Sequence, residues 1–314
     1  MSFLWVQSNP VDAMPVTFWK KASARARDES QVVETYNEAL RLFRYTSTTT
    51  DYHAARLPDP AAHDHDVEAI AAAVRRSAGL RPHTPIKNMT RLCEKLGIGV
   101  IIDLDPARSD DPGDHTGLSR PAESERPLIA IVGKHTGDTL RWAIAHELFH
   151  IIADGDLKTP LNSTRDQREK RAHAFAGALL VPEPIARQHL SETLTLQGYL
   201  RVKADYGVSV RALILRGQRL GLVSDHRVRS LYIQMSSIGW KKEQEPVPVA
   251  VERPLLLGQS LHRAHGPQFA ARVSYLIGTP VELLQHWVPE QELDDDEPVA
   301  GVVHLSDRAA RRQT

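Results

Sequence analysis

The apolar residues of this 314-residue chain recur mostly at helical spacing. Apolar side chains three and four positions apart lie on one face of a helix, so such a run predicts an amphipathic helix that buries one side. Glycines and prolines end several of the runs, as they commonly end helices. The pattern predicts helices over 17–45, as two short helices or one interrupted helix, and over 67–78, 86–96, 139–153, 168–180, 199–206, 209–220, 267–277 and 281–287.

Two short segments are almost continuously apolar instead. Residues 98–104 and 128–132 are rich in isoleucine, leucine and valine, and the second segment ends at Gly133. Runs of this length and composition are typical of strands that are covered on both faces. We therefore predict an α+β fold that is predominantly helical and contains a small sheet.

The chain divides into three parts by composition. Residues 1–60 are predicted to form an N-terminal helical segment and a linker, because 46–66 is rich in Thr, Pro, Asp and His. Residues 61–190 contain both predicted strands and are predicted to form a central domain. Residues 191–314 are predicted to be mainly helical, with a solvated acidic tail at 290–297.

Composition excludes several classes of protein. Lys plus Arg and Asp plus Glu both number 39, so no net field draws the whole chain to nucleic acid or to an anionic membrane. No apolar run approaches the ~20 residues that span a bilayer, and the N-terminal residues lack the basic start and apolar core of a signal peptide. The single cysteine, Cys93, excludes an intrachain disulfide, so we predict a cytoplasmic protein.

Candidate chemistry begins at residues 146–150, His-Glu-Leu-Phe-His, inside a predicted helix. Residues four apart share a helix face, so His146 and His150 can direct both imidazoles at one metal ion, with Glu147 beside the ion but not bound to it. Zinc held by three protein ligands lowers the pKa of a bound water to about 7 and polarises a carbonyl. A neighbouring carboxylate can take the proton of that water and deliver it to a leaving amine. Such a site hydrolyses peptide bonds.

The motif alone does not establish a metal site, because a chain with 15 histidines produces this spacing by chance at an appreciable rate. Its apolar neighbours, among them Ile144, Leu148 and Ile151, place the histidines on a half-buried helix. Buried imidazoles need partners, and a metal ion provides one. The alternative is a pair of histidines that are exposed or hydrogen-bonded without a metal.

A third ligand has to come from elsewhere in the chain. Glu169 is the first acidic residue of the next predicted helix, and it shares a face with Ala172 and Ala176, whose small side chains allow close packing against the motif helix. Two alternatives stay open. Glu169 can be an exposed acid that stabilises the first turn of its own helix, or Asp154 or Asp156, just past the motif helix, can supply the ligand.

The remaining histidines carry weaker arguments. His115, His135 and His189 have no informative spacing and are predicted to lie on the surface. Residues 63–66 alternate histidine and aspartate, a composition that can trap a metal. We interpret them as an exposed loop that ends in a helix cap at Asp66, since aspartate is favoured at a helix start.

Two blocks of the chain resemble the ImmA/IrrE metallopeptidases. Residues 140–150, Leu-Arg-Trp-Ala-Ile-Ala-His-Glu-Leu-Phe-His, are similar to the family's arginine, aromatic and small residues followed by Ala-His-Glu-Leu-Gly-His. Residues 169–182 are similar to its second block, Glu-x-x-Ala-Asn-x-Phe-Ala-x-x-Leu-Leu-x-Pro. Weaker similarity extends the resemblance over about 60–240, where 199–240 includes a part that resembles a winged helix.

The resemblance implies a zincin-like core in which His146, His150 and Glu169 bind one zinc ion and Glu147 is the general base. Manganese or iron in place of zinc stays open. Phe149 replaces the usual glycine, which implies a narrower cleft or a shifted helix packing.

His173 stands where the family has asparagine. It shares the helix face of Glu169, so it is either a partner of the site or a histidine that packs its helix. As a partner it would orient a ligand or donate a hydrogen bond to an oxyanion. Neither this departure nor the one at Phe149 removes a ligand.

The resemblance also implies a target. Family members act on a cytoplasmic helix-turn-helix repressor, whose cleavage derepresses mobile-element, stress or toxin-antitoxin genes. Many members carry an N-terminal helix-turn-helix domain, which this sequence is expected to lack. Direct DNA binding is therefore disfavoured, in agreement with the neutral net charge.

The leading hypothesis is a zinc-dependent endopeptidase that makes a site-specific cut in a partner protein, such as a helix-turn-helix transcriptional repressor. The substrate main chain would add as a strand along the edge of the small sheet. The alternative is a non-proteolytic binding module, an antitoxin or anti-repressor, that keeps a metal for folding. A purely structural zinc site normally has four protein ligands and needs no base, which favours the enzyme.

Overall fold

In the computed structural model of the protein, the described residues are 16–20, 26–110, 115–121, 125–157, 166–240 and 245–288. For 17–20, 26–29 and 115 only the backbone is described. The acidic tail predicted at 290–297 lies outside these ranges.

The fold is α+β and predominantly helical, as the sequence predicts. The strands are β1 (Thr17–Lys20), β2 (Gly99–Ile101), β3 (His115–Ser119) and β4 (Leu128–Ile131). The helices are α1 (Ala26–Thr49), α2 (Val67–Ser77), α3 (Met89–Lys95), α4 (Gly137–Ala153), α5 (Gln167–Leu180), α6 (Glu183–His189), α7 (Leu196–Tyr206), α8 (Val210–Arg219), α9 (Asp225–Ser237), α10 (Leu256–His265), α11 (Phe269–Ile277) and α12 (Val281–Trp287).

The four strands form one sheet in the order β1-β3-β4-β2. Strands β2 and β4 run parallel, whereas β3 is antiparallel to both of its neighbours, β4 and β1. Side chains alternate between the two faces of a strand, and all four residues of β4 are buried. The sheet is therefore covered on both sides, which explains why the β4 sequence is continuously apolar.

Two hydrophobic cores lie on opposite faces of this sheet. Ile129 and Ile131 belong to a core built with α2 to α9, and Leu128 and Ala130 belong to a core built with α1 and α10 to α12. The second core joins the two ends of the described chain, because α1 packs there with α10 to α12. Tyr36 of α1 also donates a hydrogen bond to the Leu128 carbonyl of β4 at 2.9 Å. The motif helix α4 lies in the first core.

The helix starts follow local side-chain chemistry. Asp66 accepts a hydrogen bond from the backbone N–H of Ala69 at 2.7 Å, so the cap predicted at the end of 63–66 is confirmed. Ser209 caps α8 in the same way, by accepting from the N–H of Ala212 at 3.2 Å.

Several elements differ from the sequence prediction. The first part of 17–45 is strand β1, because its backbone pairs with β3, and α1 begins only at Ala26. Helix α10 begins within three consecutive leucines, Leu255 to Leu257, which lack periodicity and are buried in the second core. Residues 199–240 form the later part of α7 and the whole of α8 and α9, without a strand. No helix in the described ranges has the length and apolar content required to cross a membrane.

A buried ion pair ties α4 to the segment that precedes α10. The Arg141 guanidinium donates to Glu252, and both side chains are largely buried. The other oxygen of Glu252 accepts the backbone N–H groups of Met89 and Thr90 at the start of α3, at 2.5 and 3.1 Å. One carboxylate thus holds together α3, α4 and the segment before α10.

Replacing Glu252 tests this role. We expect Glu252→Gln to lower the free energy of unfolding by about 3–5 kcal/mol, because it leaves the buried Arg141 cation without a carboxylate. The matched control is Glu183→Gln, which removes the exposed partner of Arg187 and should cost less than about 1 kcal/mol. Urea denaturation measures both changes. A cost for Glu252→Gln as small as that of the control would contradict this account.

Candidate metal centre

Helix α4 is buried around nearly its whole circumference. It contacts α5, α3 and the sheet strands β1, β3 and β4, and every residue from Ala143 to Ile152 is buried. A helix that is apolar on all sides belongs in a protein interior. His146, Glu147 and His150 are fully buried with it, so each needs a partner that offsets its lost hydration.

The structure brings the two motif histidines and Glu169 to one point. The Nε2 atoms of His146 and His150 lie 3.1 Å apart. One carboxylate oxygen of Glu169 lies 3.2 Å from Nε2 of His146, and the other lies 3.4 Å from Nε2 of His150. Glu169 is therefore not the exposed acid that the sequence left as an alternative, since it is only 3% exposed.

These separations are close to those between the ligands of a single zinc ion. Zinc binds imidazole nitrogen and carboxylate oxygen at about 2.0–2.2 Å in tetrahedral geometry, which places any two ligand atoms about 3.3–3.6 Å apart. His146, His150 and Glu169 would thus be able to hold one such ion. No other group among the described residues donates a hydrogen bond to either oxygen of Glu169, as expected for a carboxylate that a cation would satisfy.

Close packing of α5 against α4 carries Glu169 to this point. Helix α5 begins just after Asp166, whose carboxylate accepts the N–H of Arg168 at 2.8 Å. Glu169 is in the first turn of α5, and the fully buried Ala172 and Ala176 follow it on the same face. Alanine side chains keep the helix axes close, which lets a glutamate side chain reach the imidazoles.

Asp154 holds His150 from behind. Its carboxylate lies 2.7 Å from Nδ1 of His150 and also accepts a hydrogen bond from Arg168 at 3.1 Å. A carboxylate on the far nitrogen of a metal-binding imidazole fixes the tautomer and the ring orientation. Asp156 pairs with the other side of the Arg168 guanidinium and is exposed. Of the two aspartates that compete for the ligand role in the sequence, one supports His150 and the other faces solvent.

Strand β3 holds Glu147 in place. Ser119 of β3 donates a hydrogen bond to one Glu147 oxygen at 2.7 Å, and both residues are fully buried. Gly117, two residues earlier, lies so close that an added Cβ would be 3.2 Å from the Glu147 carboxylate. The sequence gives no spacing signal for Ser119, because the contact depends on where β3 crosses α4.

The charges around the site favour a cation. Burial raises the pKa of Glu169, but the two imidazoles outweigh that effect and lower it to about 2, so the carboxylate stays ionised. Burial lowers the pKa of His146 to about 3, so this ring is neutral. For His150, burial is outweighed by Asp154 and Glu169, which raise its pKa. Without an ion, a proton on His150 supplies the positive charge that these carboxylates require.

His173 lies beside this cluster. Its ring centre is 4.5 Å from that of His146. One of its ring nitrogens lies within 4.8 Å of a ring nitrogen of His146 and of a carboxylate oxygen of Glu169. The indole N–H of Trp142 donates to Nδ1 of His173 at 3.2 Å. Because indole only donates, Nδ1 accepts and the proton of a neutral His173 is on Nε2. His173 is thus a neighbour of the site as well as a packing residue.

Comparison with known protein families identifies the region that holds these residues. Residues 93–216 match the family Peptidase_M78, described as the IrrE N-terminal-like domain. The match runs from α3 to α8 and so includes α4, α5 and strand β3. It confirms the family that the two sequence blocks indicate, and it supports a metallopeptidase type of function. No curated protein matches the chain.

Phe149 lies in the packing between α4 and α5, which corresponds to the second of the two interpretations that the sequence allows. The ring is fully buried and packs against Phe175 of α5, with ring centres 5.3 Å apart. The Arg171 guanidinium covers it at 5.3 Å. The phenylalanine therefore fills the α4–α5 interface, and it does not narrow the cleft.

The other histidines lie away from the centre. His135 is half-buried and hydrogen-bonds the Val132 carbonyl at 2.8 Å, and His189 packs near Tyr206. The side chain of His115 falls outside the description. Within the described ranges, a search for three or more His, Cys, Asp or Glu residues that could hold a metal finds one group, His146, Glu169 and His173, which shares two residues with the set formed by His146, His150 and Glu169.

Asp154 and Asp156 offer a matched test of the support behind His150. We expect Asp154→Asn to lower zinc affinity by about 10- to 100-fold, since the carboxylate orients the His150 ring and makes it more basic. Asp156→Asn should leave zinc affinity unchanged, because Asp156 is exposed and pairs with Arg168 rather than with an imidazole. Competition with a chromophoric chelator measures both affinities, and equal losses in the two variants would contradict the assigned role.

Proposed function

We propose that the chain is a zinc-dependent endopeptidase in which His146, His150 and Glu169 bind the metal and Glu147 is the general base. The observation that supports this most strongly is the convergence of the three donor atoms at 3.1–3.4 Å. Three ligands and an adjacent carboxylate are the arrangement of a catalytic zinc site, because a structural site is closed by a fourth protein ligand. Manganese and iron bind the same donors, so the identity of the native metal has to come from metal analysis of the purified protein.

Glu147 has the position that a general base requires. When bound, zinc would make a coordinated water acidic near neutral pH and polarise the scissile carbonyl. Glu147 accepts the proton of the attacking water and then transfers it to the leaving amine. The hydrogen bond from Ser119 fixes one carboxylate oxygen, so the group does not have to be ordered during each turnover.

His173 supplies a hydrogen-bond donor for the transition state. The contact from Trp142 holds the His173 proton on Nε2. Burial lowers the pKa of His173, so the ring stays neutral and rigid in its tautomer. A fixed donor aimed at the carbonyl oxygen stabilises the negative charge that develops there. An asparagine side chain at this position could donate in the same way.

The path of the substrate differs from the expectation of an open sheet edge. Strand β3, which lies against Glu147, is paired along its outer edge with β1, and Trp19 stands opposite Gly117. A substrate strand that adds to β3 therefore has to displace residues 17–20. Otherwise it pairs with the outer edge of β1, one strand farther from Glu147. Strand β1 lies outside the matched 93–216 region and is an addition to that core.

We propose a cytoplasmic protein substrate, with a helix-turn-helix transcriptional repressor as the first candidate. The family resemblance supports the repressor, and the single cysteine is compatible with a reducing compartment. Cleavage of such a repressor would derepress stress, mobile-element or toxin-antitoxin genes.

Glu147→Gln separates the enzyme from a binding module. The amide keeps the size of the side chain but takes up no proton, so we expect zinc content to be unchanged and peptide cleavage to fall by at least about 100-fold. Zinc-loaded wild type and variant are incubated with a proteome, and new N-termini are identified by mass spectrometry. Termini that form with wild type alone identify the substrate. Identical sets from both proteins, or no new termini with wild type, would reject the peptidase.

Variants of His173 test the proposed oxyanion donor. We expect His173→Ala to lower kcat by about 100- to 1000-fold, with zinc content unchanged, whereas His173→Asn keeps a donor and retains most of kcat. The measurement is steady-state cleavage of the identified substrate, with kcat and KM determined separately. An alanine variant that keeps the kcat of wild type, or an asparagine variant as slow as the alanine variant, would contradict the donor role.

A further inference from the structure

A cleft of about 810 Å³ opens beside the metal centre, between α5 and α8. We refer to it as the basic cleft. Its inner end is formed by Thr116 of β3 together with Trp142 and His173, which border the metal centre. Its outer wall carries Arg211, Leu215 and Arg219 of α8. A volume of this size holds several side chains of a ligand.

The acidic side chains around the basic cleft already have cationic partners. The buried Lys203 pairs with Asp138 at 2.8 Å and with Glu245 at 2.9 Å. Asp138 lines the cleft, and Glu245 accepts a backbone N–H at the start of α8. Glu68 pairs with the guanidinium of Arg216, the one buried cation of the lining. These three carboxylates and two cations leave one net negative charge, which is less than the charge of the remaining described cations of the lining.

Three exposed cations of the lining have no such partner. The Arg219 guanidinium contacts only the backbone carbonyl of Lys170, at 3.3 Å. The Arg211 guanidinium lies over the ring of Tyr232, 5.9 Å from its centre. Lys170 makes no ion pair with an acidic group in the described part of the chain, and neither arginine does. In a chain with equal numbers of acidic and basic residues, this is a local excess of positive charge.

The positive charge of the basic cleft reaches the metal centre. Arg219 and His173 line the same cleft, and the ring centre of His173 lies 4.5 Å from that of His146. A chain bound with its scissile peptide at the metal centre therefore continues past these cations.

We propose that the basic cleft binds acidic side chains of the polypeptide that this site cleaves, within a few residues of the scissile bond. This inference rests on the proposed peptidase function. Arginine binds carboxylates through paired N–H groups, so Arg211 and Arg219 select glutamate or aspartate over their amides. Trp142 and the exposed Leu215 line the same cleft and contact the apolar side chains between the acidic ones.

An acidic polypeptide fits the basic cleft better than a nucleic acid does. A protein that tracks a phosphate backbone needs a row of cations along an open surface, usually with a basic net charge. Here the exposed cations of the lining are three, the net charge of the chain is zero, and the cleft ends beside the metal centre at Trp142 and His173. Competition with an oligonucleotide decides between the two ligands.

The experiment measures binding separately from cleavage. Two fluorescein-labelled peptides of about ten residues, one alternating Glu with Leu and one alternating Gln with Leu, are titrated into the zinc-loaded Glu147→Gln protein, and anisotropy gives Kd. We expect the Glu peptide to bind about tenfold more tightly at low salt, and the difference to shrink as salt rises. The double variants Arg211→Gln/Arg219→Gln and Arg211→Glu/Arg219→Glu should abolish the preference.

The matched control is Arg229→Glu, which reverses the charge of an exposed residue on α9 that does not line the basic cleft. We expect this variant to keep the preference for the Glu peptide, and circular dichroism confirms that each variant is folded. Equal Kd values for the two peptides would overturn the inference, as would the same loss in the control or tighter binding of an oligothymidine.

Cleavage by zinc-loaded wild type distinguishes the two proposals. If the Glu peptide binds preferentially but no protein is ever cleaved, the basic cleft stands and the peptidase function fails. If a substrate is cleaved without any dependence on its acidic residues, the peptidase stands and the basic cleft fails.

Discussion

The site depends on the close approach of α5 to α4, which places a buried carboxylate beside two buried imidazoles. Ala172 and Ala176 make this approach possible, since larger side chains would separate the helices. Glu169 then meets Nε2 of both histidines at 3.2 and 3.4 Å. An ionised carboxylate away from water is unfavourable unless a positive charge joins it. The same packing that builds the core thus creates a place for a cation.

Each acidic group near that place has a second contact that fixes it. Asp154 is held by Arg168, and Glu147 is held by Ser119 of β3. Arg168 belongs to the first turn of α5, so the helix that supplies Glu169 also orients the carboxylate behind His150. These supports lie in regular secondary structure, which sets the side chains more exactly than a loop would. The sheet is in turn fixed by cores on both faces.

The sequence predicts the parts of the site that depend on spacing along a helix. His146, Glu147 and His150 follow from a four-residue repeat, and Glu169 follows from the alanine face that it begins. Ser119 and Trp142 could not be predicted as parts of the site, because their contacts arise where separate elements meet. The sequence also could not decide which of Glu169, Asp154 and Asp156 lies beside the two imidazoles, because that depends on how α5 packs against α4.

The same limit applies to the fold. The buried strands β2 and β4 and most helices follow from apolar patterns, and their positions agree with the prediction to within a few residues. Strand β1 does not, because its apolar residues fit a helix and pairing with β3 overrides that preference. Helix α9 buries only Val228, Leu231 and Met235, which is too sparse a stripe to stand out from its polar surroundings.

Anomalous diffraction at the zinc edge from crystals of the zinc-loaded protein tests the central claim most directly. The account predicts one anomalous peak about 2.0–2.2 Å from Nε2 of His146, Nε2 of His150 and a carboxylate oxygen of Glu169. A structure in which zinc lies elsewhere, or in which the two imidazoles and Glu169 stay joined by hydrogen bonds at saturating zinc, would contradict it.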